Sequence, residues 1–381
     1  MEDRSFDIGP IRPPSEANSL LLQVTSGCTW NKCKFCTVYR GQQFHIIKPD
    51  QIKHNIDNMA YFRDLIYSCA GSDGFVDREK LIPHLELMNG DELQCFYMIY
   101  NWLGHGGRNV FLQDGNSIAL TPEKLADVLS YLREKFPSIE RITTYGRAGT
   151  LARYTVDQLR LLRESGLDRI HTGFESGSDN VLKMINKGLT QAQQIEAGRK
   201  TMEAGIELSV YFMPGIGGKK YSAENAEQMA YVVNQINPDF VRIRTFVLKL
   251  ESEMYDMLLK GEWEECSDIE KLREIRDLVA GITGPDVTIV SDHITNLIGS
   301  ITGRIGTDKD FMLELADQVL NLPKLEQRTY QLARRHGVVE NYAQFLELPE
   351  NRRAQMEKRA GEYESDELFE NHLNEILRMY V

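Results

Sequence analysis

No stretch of the 381 residues is apolar for long enough to span a bilayer, since the longest runs, such as Ser19-Leu20-Leu21-Leu22-Gln23-Val24, are strand-sized. The opening residues MEDRSFDIGP carry no apolar segment of the kind that heads a secretory signal, so a cytoplasmic location is expected. Positive charge is in short supply as well. Lys and Arg number 44 against 56 Asp and Glu, for a formal net charge of −12. Phosphate recognition draws its affinity from clustered Lys and Arg, so nucleic acid is the weaker expectation for a substrate. Cysteines number only six and are not spread in pairs along a short chain, which sets aside a disulfide framework and points to metal binding in a reducing compartment.

Three of those six stand within nine positions, in SGCTWNKCKFCTVYRG at residues 26–41. Cys33 and Cys36 fit around one centre, and Cys28 closes a triangle if the chain loops back. Three thiolates suit zinc or an iron-sulfur cluster, both of which favour soft ligands. A structural zinc site asks for a fourth Cys or His, usually as two separated pairs. The spacing C-x4-C-x2-C with a distant fourth cysteine is that of plant-type [2Fe-2S] ferredoxins, and Cys69 could be that fourth ligand. The remaining option is a [4Fe-4S] cluster with three thiolates and one iron left open for a substrate or cofactor.

Downstream the chain alternates. Strands are expected at Ser19–Thr25, Asn109–Gln113, Glu140–Tyr145, Asp168–Phe174, Glu207–Met213 and Asp239–Phe246. Between them, helices are expected at Thr121–Phe136, Thr155–Ser165, Gln191–Ala204 and Ser222–Ile236, the first with Leu125, Val128, Leu129 and Leu132 on one face. Alternation at this spacing implies parallel βαβ units and an α/β fold, an open or partial barrel of six units whose chemistry gathers at the carboxyl ends of the strands. Residues 67–107 make the first crossover long and read as a helical insertion. Residues from about Asp310 to Val381 read as a helical extension, with six acids against one base between Gly361 and Val381. The expected division is therefore 1–310 and 311–381.

The cysteine loop CTWNKCKFC, the segment GLDRIHTGFESGSDNVLKMINKGLT at residues 166–190 and the turn Met213-Pro214-Gly215-Ile216-Gly217-Gly218 together resemble the radical S-adenosylmethionine (radical SAM) superfamily. The resemblance covers about residues 10–320. It is to the branch that includes oxygen-independent coproporphyrinogen oxidase and the Elongator-type and methylthiotransferase enzymes, and is closest to uncharacterised members. The usual spacing there is C-x3-C-x2-C, and this chain is one residue longer in the first gap.

The resemblance implies a partial (β/α)6 TIM-like barrel with a helical C-terminal extension. Cys28, Cys33 and Cys36 would ligate a [4Fe-4S] cluster, and S-adenosylmethionine would chelate the fourth iron. It places Phe35 near the adenine and Asp114, Gly115 and Asn116 where the methionyl ammonium is received, by side chain or by backbone carbonyls. Glu175 and Ser176 would meet the ribose hydroxyls, with Ser178 capping the next helix. Gly215, Gly217 and Gly218 would let the backbone approach the adenine. Arg147 and Arg244 stand where a guanidinium fork can meet a carboxylate.

The implied reaction is reductive cleavage of S-adenosylmethionine to a 5'-deoxyadenosyl radical that abstracts hydrogen from a small-molecule or peptide substrate. An electron donor such as a flavodoxin or ferredoxin would be the partner, with no membrane involved. Two rivals are a haem or cofactor carrier on the same fold and a ferredoxin-like electron carrier. His293, after an expected seventh strand, could face substrate, whereas His171 reads as packed within a strand. Cys69, Cys95 and Cys266 read as ordinary thiols under this assignment. Tyr97, Tyr100, Trp102 and His105 make the insertion a lid or simply pack it down. The tail beyond Gly361 is expected to be dispensable for cofactor chemistry.

Overall fold

A computed structural model describes residues 3–71 and 73–380; Ser72 in the long first crossover and Val381 at the end of the tail lie outside them. Eight strands form the main sheet: β1 (Leu20–Gln23), β2 (Asn109–Gln113), β3 (Arg141–Tyr145), β4 (Arg169–Glu175), β5 (Glu207–Phe212), β6 (Phe240–Ile243), β7 (Thr288–Val290) and β8 (Gly303–Arg304). They follow one another in sequence order. The expected six β/α units are present, continued by a parallel β7 and an antiparallel β8. Among the described residues no helix is long and apolar enough to cross a membrane.

The chain divides into two compact units. Among the described residues the first comprises 3–31, 38–171 and 200–207, the second 32–37, 172–199 and 208–380. In the first, β1 and β2 pair in parallel from Leu20 opposite Val110 to Gln23 opposite Gln113, and β2 pairs in parallel with β3. Four consecutive residues of β2, Val110 to Gln113, are buried. A strand buried on both faces, as in parallel sheets, reads as a near-continuous apolar run rather than an alternating one. The helix Pro122–Lys135 buries Leu125, Val128, Leu129 and Leu132 as its spacing predicts. Proline opens it, where a missing N–H costs nothing, and Arg133 and Lys135 sit in its last turn against the carbonyl end of the dipole.

The insertion in this unit consists of two helices, Arg78–Leu85 and Gly90–Gly104. Trp102 is buried edge-on against Phe136 and donates its indole N–H to Asn109 O at 2.8 Å. Phe96 is buried edge-on against Phe62, whereas Tyr97 and Tyr100 face outward. Packing therefore accounts for Phe96 and Trp102 among the insertion's aromatics.

In the second unit, β5, β6 and β7 pair in parallel. The helix after β5 runs over Gly218–Ile236, four residues longer at its start than the expected Ser222, and buries Met229, Val232, Val233 and Ile236. Strand β6 stops at Ile243, short of the expected Phe246. The reason is Asn296: it donates to Ile243 O (2.8 Å) and accepts from the Thr245 N–H (2.9 Å) and hydroxyl (2.8 Å), taking backbone groups that a longer strand would have paired.

Residue 310 lies inside the helix Ile305–Leu320, and the C-terminal helices belong to the second unit. Arg335 makes a doubly hydrogen-bonded pair with Asp268 at 2.7 and 2.8 Å, with both side chains inaccessible to solvent. The last helix, Asp366–Arg378, buries Phe369, Leu373, Ile376 and Leu377, and Arg378 reaches Glu265 at 3.1 Å. The tail beyond Gly361 is thus part of this unit's core. Of its six acids, Glu362, Glu364, Asp366, Glu367 and Glu375 are exposed and only Glu370 is half-buried, which is why the charge alone suggested a detachable segment.

Candidate functional site

The cysteine loop is closed at its base in the first unit by a two-stranded antiparallel ribbon, with Thr25 opposite Ile46 and Ser26 opposite His45. Gly27 opens the loop at φ 86°, a left-handed conformation that favours glycine. Cys28, Cys33 and Cys36 are thiols of intermediate exposure, whereas Cys69, Cys95 and Cys266 are buried.

The carboxyl end of β2 meets the loop through Asp114, Gly115 and Asn116. Buried Asp114 accepts hydrogen bonds from the Tyr39 hydroxyl and from Gly27 N–H (3.3 Å). Burial pushes its carboxyl up to about 6 against the pull of Gly27 N–H, the Gln23 side chain and Gly115 N–H. A Cβ on Gly115 would come within 3.0 Å of the Tyr39 ring, 3.1 Å of Gly27 O and 3.4 Å of Cys28 Cβ, so any larger residue would press the two segments apart. Asn116, fully buried, donates to the hydroxyls of Thr29 (3.0 Å) and Thr150 (2.9 Å) and accepts Arg147 N–H (2.9 Å). The Arg147 guanidinium lies 5.5 Å from the centre of the Trp30 ring. Four residues expected at the cofactor, Asp114, Gly115, Asn116 and Arg147, therefore gather on the half of the loop that carries Cys28.

The other half, residues 32–37, belongs to the second unit. Lys34 donates its N–H to Ile185 O (2.9 Å) and accepts Met254 N–H (3.4 Å), and Asn186 donates to Lys32 O (2.9 Å). Cys36 N–H closes a turn onto Cys33 O at 3.1 Å. Phe35, between the two cysteines, packs on an apolar cluster of Val181, Ile185, Ile216, Phe246, Leu248, Met254, Met257 and Trp263. The Lys187 ammonium lies 5.8 Å from the centre of the Phe35 ring and binds the Glu175 carboxylate at 2.8 Å, with both partners nearly buried. Glu175 ends β4 at φ 65°. Ser176 is buried and its hydroxyl accepts Ser178 N–H (3.0 Å). Ser178 caps the following helix as expected, accepting Val181 N–H. Gly177 lies so close to the helix Gly218–Ile236 that a Cβ would meet Gln228 O at 2.3 Å.

The turn Met213–Gly218 is buried from Pro214 onward, with Gly215 at φ 86° and Gly218 at φ 64°. Beneath it lies Glu274, accepting from Gly215 N–H (3.1 Å), Asn225 (2.7 Å) and the Ser222 hydroxyl (2.7 Å). Burial raises the Glu274 carboxyl to about 7. Gly217 would carry a Cβ within 3.1 Å of Tyr221 Cβ. Arg244 is exposed just past β6, its N–H bonded to Phe212 O at 2.9 Å. His293 hydrogen-bonds Thr295 at 2.7 Å; burial first, and the charge of Arg244 second, pull its imidazole down to about 4. His171 is fully buried, with Nε2 3.6 Å from Glu16, and is edge-on to Tyr145.

Tyr39, Lys187, Gln194, Glu274 and Asn296 were not singled out from the sequence. Gln194 donates to Phe174 O (3.1 Å) and Ser176 O (3.0 Å) and so fixes the end of β4. Tyr39, Lys187 and Asn296 had a local signal, lying in the cysteine stretch 26–41, the segment 166–190 and the neighbourhood of His293, whereas Gln194 and Glu274 had none.

Among the described residues no group of three or more His, Cys, Asp or Glu side chains is gathered to hold a metal ion. The donor chemistry nevertheless fits a thiolate-held centre: three partly exposed thiols on one loop, two of them in a backbone turn around Phe35. Cys69 does not present a fourth, because its thiol is buried at the end of the helix Pro49–Ser68.

The sequence model of the Radical SAM superfamily matches residues 22–229, more than half of the chain and a span that holds all three loop cysteines. The chain is similar to the tRNA uridine(34) acetyltransferase of Methanocaldococcus infernus, 23% identical over 119 residues, covering 31% of this chain and 22% of that protein. It is also similar to the heme chaperone HemW of Bacillus subtilis, 17% identical over 155 residues, 40% of each chain. The chain thus spans between about a fifth and two fifths of the length of these curated relatives. Among solved structures it is similar to the Methanocaldococcus infernus Elp3 lacking its N-terminus (TM-score 0.41, 18% identity, 51% of this chain and 50% of that one). It is similar also to methylornithine synthase, PylB (TM-score 0.44, 14% identity, 78% of this chain and 68% of that one).

Proposed function

The chain belongs to the radical SAM superfamily, and from that membership we propose that it is an enzyme that holds a [4Fe-4S] cluster on Cys28, Cys33 and Cys36 beside S-adenosylmethionine and acts on a small-molecule or peptide substrate. The observation that carries this reading is the loop itself, with three partly exposed thiols on a segment fastened at Gly27, Lys34 and Tyr39. When bound, the cluster and cofactor supply reductive cleavage to methionine and a 5'-deoxyadenosyl radical, which takes a hydrogen atom from the substrate.

The chain's own residues bind and orient. Phe35 offers a flat face held on the apolar cluster, and the glycines of the Pro214–Gly218 turn keep side chains out of the way of an adenine. Glu175, oriented by Lys187, presents a carboxylate for ribose hydroxyls. Arg244, exposed past β6, presents a fork for a carboxylate of cofactor or substrate. His293, held neutral, can accept a hydrogen bond through the physiological range but carries no charge there. A flavodoxin or ferredoxin in a reducing cytoplasm is the proposed electron donor. A net charge of −12 weighs against RNA as the substrate.

Anaerobic reconstitution tests the assignment. Cys28→Ala, Cys33→Ala and Cys36→Ala should each lose the iron-sulfur absorbance, Cys69→Ala should keep it, and the reduced wild type should release 5'-deoxyadenosine, read by chromatography. A verified, reducible cluster that yields no 5'-deoxyadenosine would favour the second reading, a cofactor carrier, which has the similarity to the heme chaperone in its support.

A further inference from the structure

Asp114, Gly115 and Asn116 stand where the resemblance implies a contact with the methionyl ammonium, yet the side chains of both polar members are engaged with the chain's own loop. Asp114 uses one carboxylate oxygen for the Tyr39 hydroxyl and the other for Gly27 N–H. Gly27 immediately precedes Cys28 and Tyr39 follows Cys36 by three residues, so one buried carboxyl bridges the two ends of the cysteine segment. Gly115 admits Tyr39, Gly27 O and Cys28 Cβ to van der Waals contact, and Asn116 holds Thr29. Asn31 tightens the same closure by donating to Tyr39 O at 2.6 Å and Gln42 O at 3.0 Å.

We propose that Asp114 is a positioning residue: through Gly27 and Tyr39 it clamps the loop that presents the thiols, and its side chain is not a contact of S-adenosylmethionine. The proposal rests on the cluster assignment above only for its consequence, since the clamp itself is a property of the chain. Asp114→Leu keeps the shape of the side chain but can accept neither donor. Tyr39→Phe removes the hydroxyl and leaves the Asp114 side chain in place. A contact with the cofactor would make the first variant harmful and the second silent, whereas a clamp makes them alike and non-additive.

The experiment compares the full-length wild type, both variants and the double variant by hydrogen exchange of residues 27–41, by iron loss to a chelator after anaerobic reconstitution, and by S-adenosylmethionine affinity. Each single variant should raise exchange across 27–41 and speed iron loss by about tenfold, the scale of one hydrogen bond to a charged group. The double variant should add little. Affinity for S-adenosylmethionine, read from its shift of the reduced cluster's electron paramagnetic resonance signal, should stay within about threefold.

The proposal is overturned if Asp114→Leu weakens that affinity tenfold or more while loop exchange is unchanged and Tyr39→Phe behaves as wild type. If the wild type takes up no cluster but both variants loosen residues 27–41, the clamp stands and the cluster assignment falls. If it takes up none and neither variant changes the exchange, both fall.

Discussion

Glu274→Gln should change how the protein's stability responds to pH more than it changes stability itself. The carboxyl is buried under the Pro214–Gly218 turn, and burial lifts it from an ordinary 4.5 to about 7. Below pH 4.5 it is protonated in both the folded and the unfolded chain and contributes no pH dependence. Between about 4.5 and 7 the unfolded chain releases the proton and the folded chain retains it, so stability declines as pH rises. Above 7 the loss is complete, and at about 1.4 kcal/mol per tenfold change in acidity it amounts to roughly 3 kcal/mol.

Glutamine has the same shape and can still accept from Gly215 N–H and Asn225 through its oxygen while donating to the Ser222 hydroxyl. The variant should therefore gain relative to wild type as pH rises from 5 to 8, by several degrees in melting temperature at about 2–4 °C per kcal/mol. Thermal melts of both proteins at half-unit pH steps measure the difference curve, which cancels every other titrating group. A flat difference curve, or one in which the wild type gains over the variant with rising pH, would refute the reasoning.

Arg335→Met should cost about 3–5 kcal/mol in urea unfolding, because it strands the buried Asp268 carboxylate. Deleting residues from Glu362 onward should yield an aggregating protein: Phe369, Leu373, Ile376 and Leu377 each contribute about 1.5–3 kcal/mol of burial that the remaining chain cannot replace. A soluble deletion protein with the wild-type melting temperature would contradict that packing. His293 should show no imidazole titration between pH 5 and 8 by nuclear magnetic resonance, its midpoint lying near 4; an inflection at 6 to 7 would mean that its ring is solvated.

The six β/α units were legible because each pairs an apolar strand of four to seven residues with a helix of periodic apolar spacing, and both signals are local. The three cysteines and the glycine turn were legible as motifs. Partners far apart in sequence were not. Nothing near Asp114 announces Tyr39, 75 residues earlier, and nothing near Gly215 announces Glu274, 59 residues later. Glu274 read as an ordinary charged residue and Asp114 as a cofactor contact, since burial and what it pairs with are properties of what covers each acid. The end of β6 was misplaced for the same reason: Asn296 competes for its backbone from 53 positions away. The tail misled because its acids are dense and its buried stripe of Phe369, Leu373, Ile376 and Leu377 is sparse.

The segment bearing Cys33 and Cys36 is made early and seated late. Its supports are Ile185, Met254 and Met257, and the contact from Lys34 to Met257 spans 223 residues. At 5–20 residues per second a ribosome needs roughly 10–45 s to travel that distance. For that interval the two thiols leave the exit tunnel without the elements that later hold them, open to oxidants and to adventitious metal. Maturation of the loop is consequently a late event in the life of each new chain, and the redox state of the cell during those seconds bears on how many chains reach it with their thiols intact.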